Sequence, residues 1–412
     1  MLEKIKRFKI QLLIFFAVLG PGIITSAVDN DAGGIATYSI AGAHFGYSLL
    51  WTMIPIAVIL VVVQEMNVRM GIVTGKGLAD LIRENFGLKI TFFVMAALFF
   101  TNLFNTVAEF AGIAAASELF GITKFIAIPL SALFVWLLIV RGTYKNVEKA
   151  FLFAVLFYFA YIIAGLMIQP DWLEVGKAVV TPTIQIDSTY LMIIVGLIGT
   201  TIAPWMQFYL QASIAEKGIK PEELHFSRMD VILGSIVTVI IMLFIIVTTA
   251  TVLHPNGVRI DSAENAAKAL GPLAGNYASS LFALGLLAAS VFAAAILPLA
   301  TAYYVCEGFG FESGVNKKIR EAPQFYSLFT AMILIGGGLI LIPNIPLISI
   351  MYWSQVLNGI LLPIVLILML YLINNKKLMG SYVNGTKLNI MCWIISGGLI
   401  IASVSLILSL LG

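Results

Sequence analysis

The chain has 412 residues, of which 60% are apolar and 11% are charged, and its net charge is +3. Soluble proteins carry about 25% charged residues. The low charge and a mean hydropathy of +1.01 therefore exclude a water-soluble domain and predict an integral membrane protein. No basic patch exceeds a short loop, which excludes nucleic-acid binding. The two cysteines, Cys306 and Cys392, form no CxxC pair, so neither a disulfide nor a thiolate metal site is expected.

Apolar runs separated by polar loops predict eleven membrane-spanning helices, since one span needs about 20 apolar residues. The predicted spans are 11–45, 47–71, 91–120, 125–140, 150–168, 189–215, 229–253, 277–306, 324–342, 347–373 and 388–411. The basic residues at 4–9 imitate a signal peptide, but no cleavage pattern follows them. We interpret this segment as the start of a retained first span.

The distribution of basic residues predicts the orientation. With the N-terminus in the cytoplasm, 20 of the 24 Lys and Arg residues lie on the inner side. Outside remain Lys124, Lys177, Arg259 and Lys268. By the positive-inside rule, this asymmetry favours a cytoplasmic N-terminus and an extracellular C-terminus. We expect a multi-pass protein of the cell membrane whose partners are the lipid bilayer and its cargo, without an obligate protein partner.

Eleven spans fit an all-α inverted repeat of five plus five helices with one additional helix. In this division of a single transport domain, 1–412, the first repeat is 11–168, the second is 189–373 and the additional helix is 388–411. Spans 1 and 6 carry helix-weakening segments: 29–34 has two adjacent glycines, and 199–204 ends in a proline. Interruptions at corresponding positions of two repeats indicate the central site of a transporter.

Four carboxylates fall inside the predicted spans, at Asp29, Asp31, Glu65 and Glu109, and no Lys or Arg is placed at comparable depth. A charge at the centre of a membrane helix costs about 2.5–3.5 kcal/mol on insertion scales. Such groups are expected to bind cations. A protonated, hydrogen-bonded carboxyl is the structural alternative for each of them, and it applies least to Asp31.

The two helix breaks offer oxygen ligands and no sulfur at the bends. Their donors are Asp29, Asn30, Asp31, the carbonyls near Gly33 and Gly34, Thr200, Thr201, Ala203 and Gln207. Oxygen-only surroundings suit hard cations such as Mg²⁺, Ca²⁺ or Mn²⁺. We interpret Met206, which follows the bend, as a packing residue.

Several motifs resemble those of one transporter family. The sequence GPG at 20–22, followed after eight residues by Asp31-Ala-Gly-Gly, is similar to the GPG and DPGN pattern of the Nramp divalent-metal transporters. Further similarity lies at 71–81, Ala108-Glu109, Ala203-Pro204, 307–309, 354–356 and Pro363. The resemblance implies a LeuT-type fold and alternating access around a central metal ion.

The resemblance also implies the positions of the metal ligands. They are Asp31, Gly34, the carbonyls of Val28 and Thr200, Ala203, and Gln355. Two positions depart from the family: its soft Met ligand is Ala203 here, and its Asn is Gly34. Both changes remove a side chain, so we expect a wider, sulfur-free cavity with fewer direct ligands.

A wider acidic cavity fits a largely hydrated Mg²⁺, because Mg²⁺ dehydrates reluctantly. The combination resembles the Nramp-related magnesium transporters, with Mn²⁺ as a further cargo. Asp29 is an addition to the usual pattern, and its charge would attract a hydrated ion. Asn358 lies less than one turn from Gln355, where it either binds a metal-bound water or joins two helices by a hydrogen bond.

Proton coupling is expected to be absent, because the usual titratable path is depleted. His44, His225 and His254 all fall in loops or at span ends. The histidines of the family's sixth span correspond roughly to Trp205 and Gln211, and an Asp of its third span corresponds to Thr106, whereas Glu109 is kept. Possible gating or coupling residues are Glu65, Glu109 and Thr106.

Two other functions remain open. One is a proton-coupled Mn²⁺ or Fe²⁺ importer of the ordinary Nramp type. The other is a sodium-coupled amino-acid carrier, which the adjacent acids disfavour because they would repel an anionic substrate group. The sequence contains no nucleophile and base constellation, so no enzymatic activity and no resident cofactor are expected.

Overall fold

The computed structural model describes residues 18–185, 188–260, 265, 267, 276–343 and 347–411. Its α-helices are α1 (Pro21–Ala27), α2 (Ala32–Phe45), α3 (Met53–Thr74), α4 (Leu78–Leu119), α5 (Lys124–Val140), α6 (Tyr144–Val155), α7 (Phe159–Met167), α8 (Trp172–Val180), α9 (Ser188–Thr201), α10 (Pro204–Lys217), α11 (Leu224–Val252), α12 (Asn276–Phe309), α13 (Pro323–Leu341), α14 (Leu347–Ile373), α15 (Lys376–Met379) and α16 (Thr386–Leu411). Five short 3₁₀ segments connect some of them.

The helices confirm the predicted membrane architecture. In the described part of the chain, nine helical stretches are long and apolar enough to cross a membrane, and α5 is a shorter apolar helix. One of the nine, Ala32–Thr74, contains both the end of span 1 and the whole of span 2. Together with α5, the nine stretches therefore account for the eleven predicted spans. Residues 11–17 of the predicted first span lie outside the described residues.

Two features of the loops differ from the expectation. Helix α4 begins at Leu78, well before the predicted span, and bends at Gly87, whose φ of 80° is not helical. The connection before span 6 contains the short helix α8, which Asp171 caps by accepting hydrogen bonds from the backbone N–H groups of Leu173 and Glu174. This cap stabilises α8 locally. With nine residues, α8 is too short to be a membrane span.

The predicted interruptions of spans 1 and 6 are confirmed. Between α1 and α2 the chain forms a 3₁₀ turn, Val28–Asn30, and then an extended residue, Asp31, with φ −74° and ψ −178°. Between α9 and α10, Ala203 is extended with φ −65° and ψ 141°, as the residue before Pro204 must be to avoid its ring. The two breaks face each other, because α9 packs against both α2 and the 3₁₀ turn.

Helix α1 is held against α11 by a close backbone approach. A Cβ atom at Gly22 would lie 2.7 Å from the Val231 backbone nitrogen, and a Cβ at Gly234 would lie 2.8 Å from the Gly22 carbonyl oxygen. Side chains at these positions would push the helices apart. This contact explains the second glycine of the GPG motif in physical terms.

Candidate cation site at the paired helix breaks

Asp31 lies at the N-terminus of α2. Its Oδ1 accepts a hydrogen bond of 2.6 Å from the Gly34 backbone N–H and a longer one of 3.5 Å from Gln355 Nε2. The side chain is 3% exposed. An N-cap carboxylate satisfies a free helical N–H and faces the positive end of the helix dipole. The break in span 1 therefore stabilises a buried anion where a cation is expected.

Glu109 of α4 belongs to the same site. Its Oε2 accepts a 3.1 Å hydrogen bond from the Ala32 backbone N–H, directly after Asp31, and its Oε1 has no hydrogen-bond partner among the described residues. Glu109 is 0% exposed, so it is a second buried acid beside Asp31. The Ala32 N–H is also the α-helical donor that the Val28 carbonyl would otherwise use.

The break in span 6 supplies a second set of backbone oxygens. Pro204 has no N–H, so the Thr200 carbonyl lacks its usual α-helical donor. The Thr200 hydroxyl lies 3.4 Å from the Asp29 carbonyl oxygen, which ties the two breaks together. The Ala203 carbonyl accepts 3.3 Å bonds from the Met206 N–H and from the Gln207 side chain.

Asp29 and Asn30 are the least satisfied groups of the site. They are 1% and 0% exposed, and within the described ranges neither carboxylate oxygen of Asp29 and neither amide atom of Asn30 has a hydrogen-bond partner. Buried polar groups in native proteins are nearly always paired. These unpaired atoms beside Asp31 make the break in span 1 the candidate position for a bound cation.

Gln355 of α14 reaches the site, but its amide nitrogen points toward Asp31. Its oxygen accepts a 2.9 Å bond from Asn358 Nδ2. Asn358 in turn bonds to Asn105 of α4 in both directions, at 3.2 Å each. Of the two roles considered for Asn358, the structure contains the helix-joining hydrogen bond.

The expectation of a wider cavity at Gly34 is wrong for this arrangement of the helices. A Cβ atom at Gly34 would collide with the Asp29 carbonyl oxygen and would lie 2.8 Å from the Thr200 hydroxyl. The missing side chain lets the two breaks close on each other instead of leaving a space. The sequence shows that position 34 lacks a side chain, but not how closely the two breaks approach each other there.

Glu65 is paired with basic residues, which the sequence analysis did not expect. It bonds to Arg69 at 2.9 Å and to Arg228 at 2.8 Å, and Arg69 is 5% exposed. The prediction that no basic residue lies at its depth is therefore wrong. Arg69 follows Glu65 by one helical turn and Arg228 comes from α11, so Glu65 joins α3 to α11.

Two more predicted residues lie near the site without facing Asp31 in any described contact. The Gln207 side-chain oxygen accepts a hydrogen bond from Asn67 of α3, and its nitrogen bonds to the Ala203 carbonyl. The Thr106 hydroxyl donates at 2.8 Å to the Asn102 carbonyl of its own helix. Gln207 therefore supports the break in span 6, and Thr106 has a local role in α4.

Sequence reasoning missed several polar residues around the breaks. The Tyr38 hydroxyl bonds to Thr201 at 2.9 Å, and the Thr201 hydroxyl also lies 4.0 Å from the sulfur of Met242. Asn102, Asn105 and Glu109 share one face of α4, at positions i, i+3 and i+7. That polar stripe in an apolar helix is a signal in the sequence that could have found the asparagines.

A cavity of about 690 Å³ lies apart from this site, beside α8 and the ends of α2 and α11. Its lining includes Asp171, Glu174 and His254. The volume of this cavity alone would favour it as the binding site. However, Asp171 and Glu174 are exposed at the surface, whereas the unpaired buried oxygens are at the helix breaks.

In the described residues no three His, Cys, Asp or Glu side chains cluster, so a cation at the breaks would need amide and backbone oxygens as well.

An all-helical membrane chain with two facing helix breaks and a buried acid at their centre defines a multi-pass transporter. The family model for natural resistance-associated macrophage protein-like proteins, Nramp, matches residues 22–409. The match covers nearly the whole sequence, so the chain belongs to the Nramp family.

Individual proteins give the same picture. The chain is 28% identical over 383 residues to the divalent metal cation transporter MntH of Yersinia pestis (strain Pestoides F), covering 90% of each chain. It is 28% identical over 387 residues to MntH of Klebsiella pneumoniae (strain 342), covering 92% of this chain and 91% of that protein. The crystal structure of the Eremococcus coleocola manganese transporter, in complex with an aromatic bis-isothiourea substituted compound, superposes with a TM-score of 0.79 at 21% identity. That match covers 95% of this chain and 86% of the other. This similarity confirms the LeuT-type fold.

Proposed function

We propose that this Nramp protein transports divalent metal ions by alternating access, that its cargo is largely hydrated Mg²⁺ and also Mn²⁺, and that transport is not coupled to protons. The names of its relatives, divalent metal cation and manganese transporters, support the class of cargo. This chain's own residues support Mg²⁺ as the cargo and transport that is not coupled to protons.

The observation that carries the proposal is the pair of unpaired carboxylate oxygens of Asp29, buried beside Asp31. The carbonyls of Val28 and Thr200 belong to the same two helix breaks and add hard oxygen donors to the proposed site. Position 203, where the family pattern has a sulfur ligand, is an alanine. Hard donors favour Mg²⁺ or Mn²⁺ over softer metals.

A largely hydrated Mg²⁺ would bind when the two helix breaks are further apart than in the described arrangement. In the described arrangement Asp31, Thr200 and Gln355 are each 3% exposed or less, and no side chain at Gly34 keeps the breaks separated. Mg²⁺ releases its waters reluctantly. The extra charge of Asp29 would hold the ion through its waters while the site is open.

The uncoupled mechanism rests on where the histidines lie. His44 Nε2 lies 3.1 Å from the Ile260 carbonyl, and His254 Nδ1 lies 3.1 Å from the Ala43 carbonyl, both at the far end of α2 from the break. The membrane potential supplies about 2.3 kcal/mol per charge per 100 mV, or about 4.6 kcal/mol for a divalent ion. That driving force suffices for uptake without a proton gradient.

One contact favours a second candidate, a proton-coupled Mn²⁺ importer. Glu109 bonds to the Ala32 N–H, next to Asp31, so a second buried acid lies at the cation site itself. If a cation displaces a proton from this acid and the proton leaves to the inside, uptake and proton movement are linked. The two candidates differ in whether cation uptake moves a proton from Glu109.

Two measurements test the proposal. Isothermal titration of Mg²⁺, Mn²⁺ and Cd²⁺ into wild type, Asp31→Ala and Asp29→Asn should give Mg²⁺ binding that is lost in the first variant and weakened in the second. Ser227→Ala, on the distant part of α11, serves as the matched control. Mg²⁺ heat that survives in Asp31→Ala would show that the site is elsewhere.

Proteoliposomes with an internal pH dye separate the two mechanisms. Mg²⁺ uptake under an imposed potential should leave the lumen pH unchanged. Acidification that depends on Mg²⁺ or Mn²⁺, and that Glu109→Gln abolishes, would establish the proton-coupled candidate instead.

A further inference from the structure

A chain of four side-chain amides runs from the cation site into the contact between α4 and α12. It begins at Gln355, whose nitrogen faces Asp31, and continues through Asn358 and Asn105. Asn105 Nδ2 then donates to Asn102 Oδ1 at 3.3 Å. All four amides are buried, at 1% exposure or less.

The far end of this chain fixes its direction. Asn102 Nδ2 donates at 2.8 Å to the backbone carbonyl of Leu297 and at 2.8 Å to the Thr301 hydroxyl. A carbonyl oxygen can only accept, so Asn102 must present its nitrogen to α12 and its oxygen to Asn105.

The same reasoning passes along the chain to the cation site. Asn105 donates to the Asn102 oxygen and accepts from Asn358, and Asn358 donates to the Gln355 oxygen. Gln355 is left with its nitrogen toward Asp31. A donor toward Asp31 stabilises the carboxylate, but it cannot bind a cation and cannot accept a hydrogen bond from a metal-bound water.

We propose that Asn105 and Asn358 are positioning residues that withhold the oxygen of Gln355 from the cation site until the amide chain is broken. The inference deepens the proposed function and rests on it for the cargo. Binding that uses the Gln355 oxygen must reverse this amide and give up the 2.9 Å bond to Asn358. The amide chain therefore opposes cation binding and favours the cation-free site.

The test is a double-mutant cycle between Asn358 and Gln355, read as the dissociation constants of Mg²⁺ and Mn²⁺ by isothermal titration. One hydrogen bond contributes a factor of about 2 to 10 to an equilibrium constant. Asn358→Leu, of similar volume, should tighten binding by that factor. In the Gln355→Leu background the same substitution should have no effect, because the oxygen it would free is gone.

A control and a second variant complete the experiment. Thr101→Val lies on α4 next to Asn102 and removes a hydroxyl that bonds only to the Ala97 carbonyl of its own helix in the described contacts, so it should leave both constants unchanged. If Asn358→Leu does not fold, Asn105→Leu detaches Asn358 from its anchor and should tighten binding in the same direction.

The outcomes separate this inference from the proposed function. Binding that is unchanged or weaker in the asparagine variants, or equally tightened without Gln355, would overturn the positioning role. If wild type binds Mn²⁺ but gives no Mg²⁺ heat, the Mg²⁺ proposal fails, and the Mn²⁺ cycle alone then decides the role of the amide chain.

Discussion

One carboxylate binds the first turn of α1, and removing it should loosen that end of the broken helix. Asp230 of α11 accepts hydrogen bonds from the backbone N–H groups of Gly20, Gly22 and Ile23, at 3.1, 2.6 and 3.3 Å. These are the free donors of the first helical turn. Asp230→Ala leaves the buried donors of Gly20 and Gly22 without partners.

The magnitude follows from those two donors. Each buried N–H without a partner costs about 1–3 kcal/mol. The arrangement in which α1 packs against α11 should therefore be destabilised by about 2–6 kcal/mol. Lys217 still binds the carbonyls of Val18 and Leu19, at 3.1 and 3.0 Å, and pairs with Glu148 at 2.7 Å. We therefore expect the lower part of the range, about 2–3 kcal/mol. That change raises the population of molecules in which α1 is released from α11 about 30- to 150-fold.

Thiol labelling measures this population directly. Val18 is 3% exposed, and the native Cys306 and Cys392 are buried, so a Val18→Cys probe reports the release of α1 against a low background. Asp230→Ala should speed labelling of the probe by the factor above. Ser227→Ala is the matched control, since the Ser227 hydroxyl has no hydrogen-bond partner in the described part of the chain. Labelling of the Asp230→Ala protein within about threefold of that control would refute the reasoning.

Three further substitutions test separate parts of the site. Ala203→Met should raise Cd²⁺ affinity relative to Mg²⁺ at least about tenfold in isothermal titration, because it adds a soft ligand; an unchanged ratio would contradict the argument from sulfur. Glu65→Gln should lower the free energy of unfolding by about 1–3 kcal/mol by leaving Arg69 poorly paired, while the Mg²⁺ dissociation constant stays within about twofold; a larger change in that constant would support a gating role for Glu65. Gly34→Ala should lower Tm, at a cost of about 1–3 kcal/mol, because its methyl group would crowd the Thr200 hydroxyl; an unchanged Tm would mean that the breaks are not closed on each other.

The sequence by itself determined the membrane architecture and the positions of the two helix breaks. Its low charge and long apolar runs required spanning helices, since the bilayer leaves few other ways to satisfy the backbone. The paired glycines near Asp31 and the proline at 204 placed the two breaks, because these residues weaken helices locally. Such signals are short-range and survive in any tertiary context.

Only the tertiary structure decided which side chains meet. Glu65 reads as an uncompensated acid in the sequence, but Arg228 reaches it from another helix. Gln355 reads as a cation ligand, but an amide chain anchored on the Leu297 carbonyl turns its oxygen away. Gly34 reads as added space, but the backbone closes over it. In each case the outcome depends on contacts between helices far apart in the chain, and no local pattern records their distance or direction.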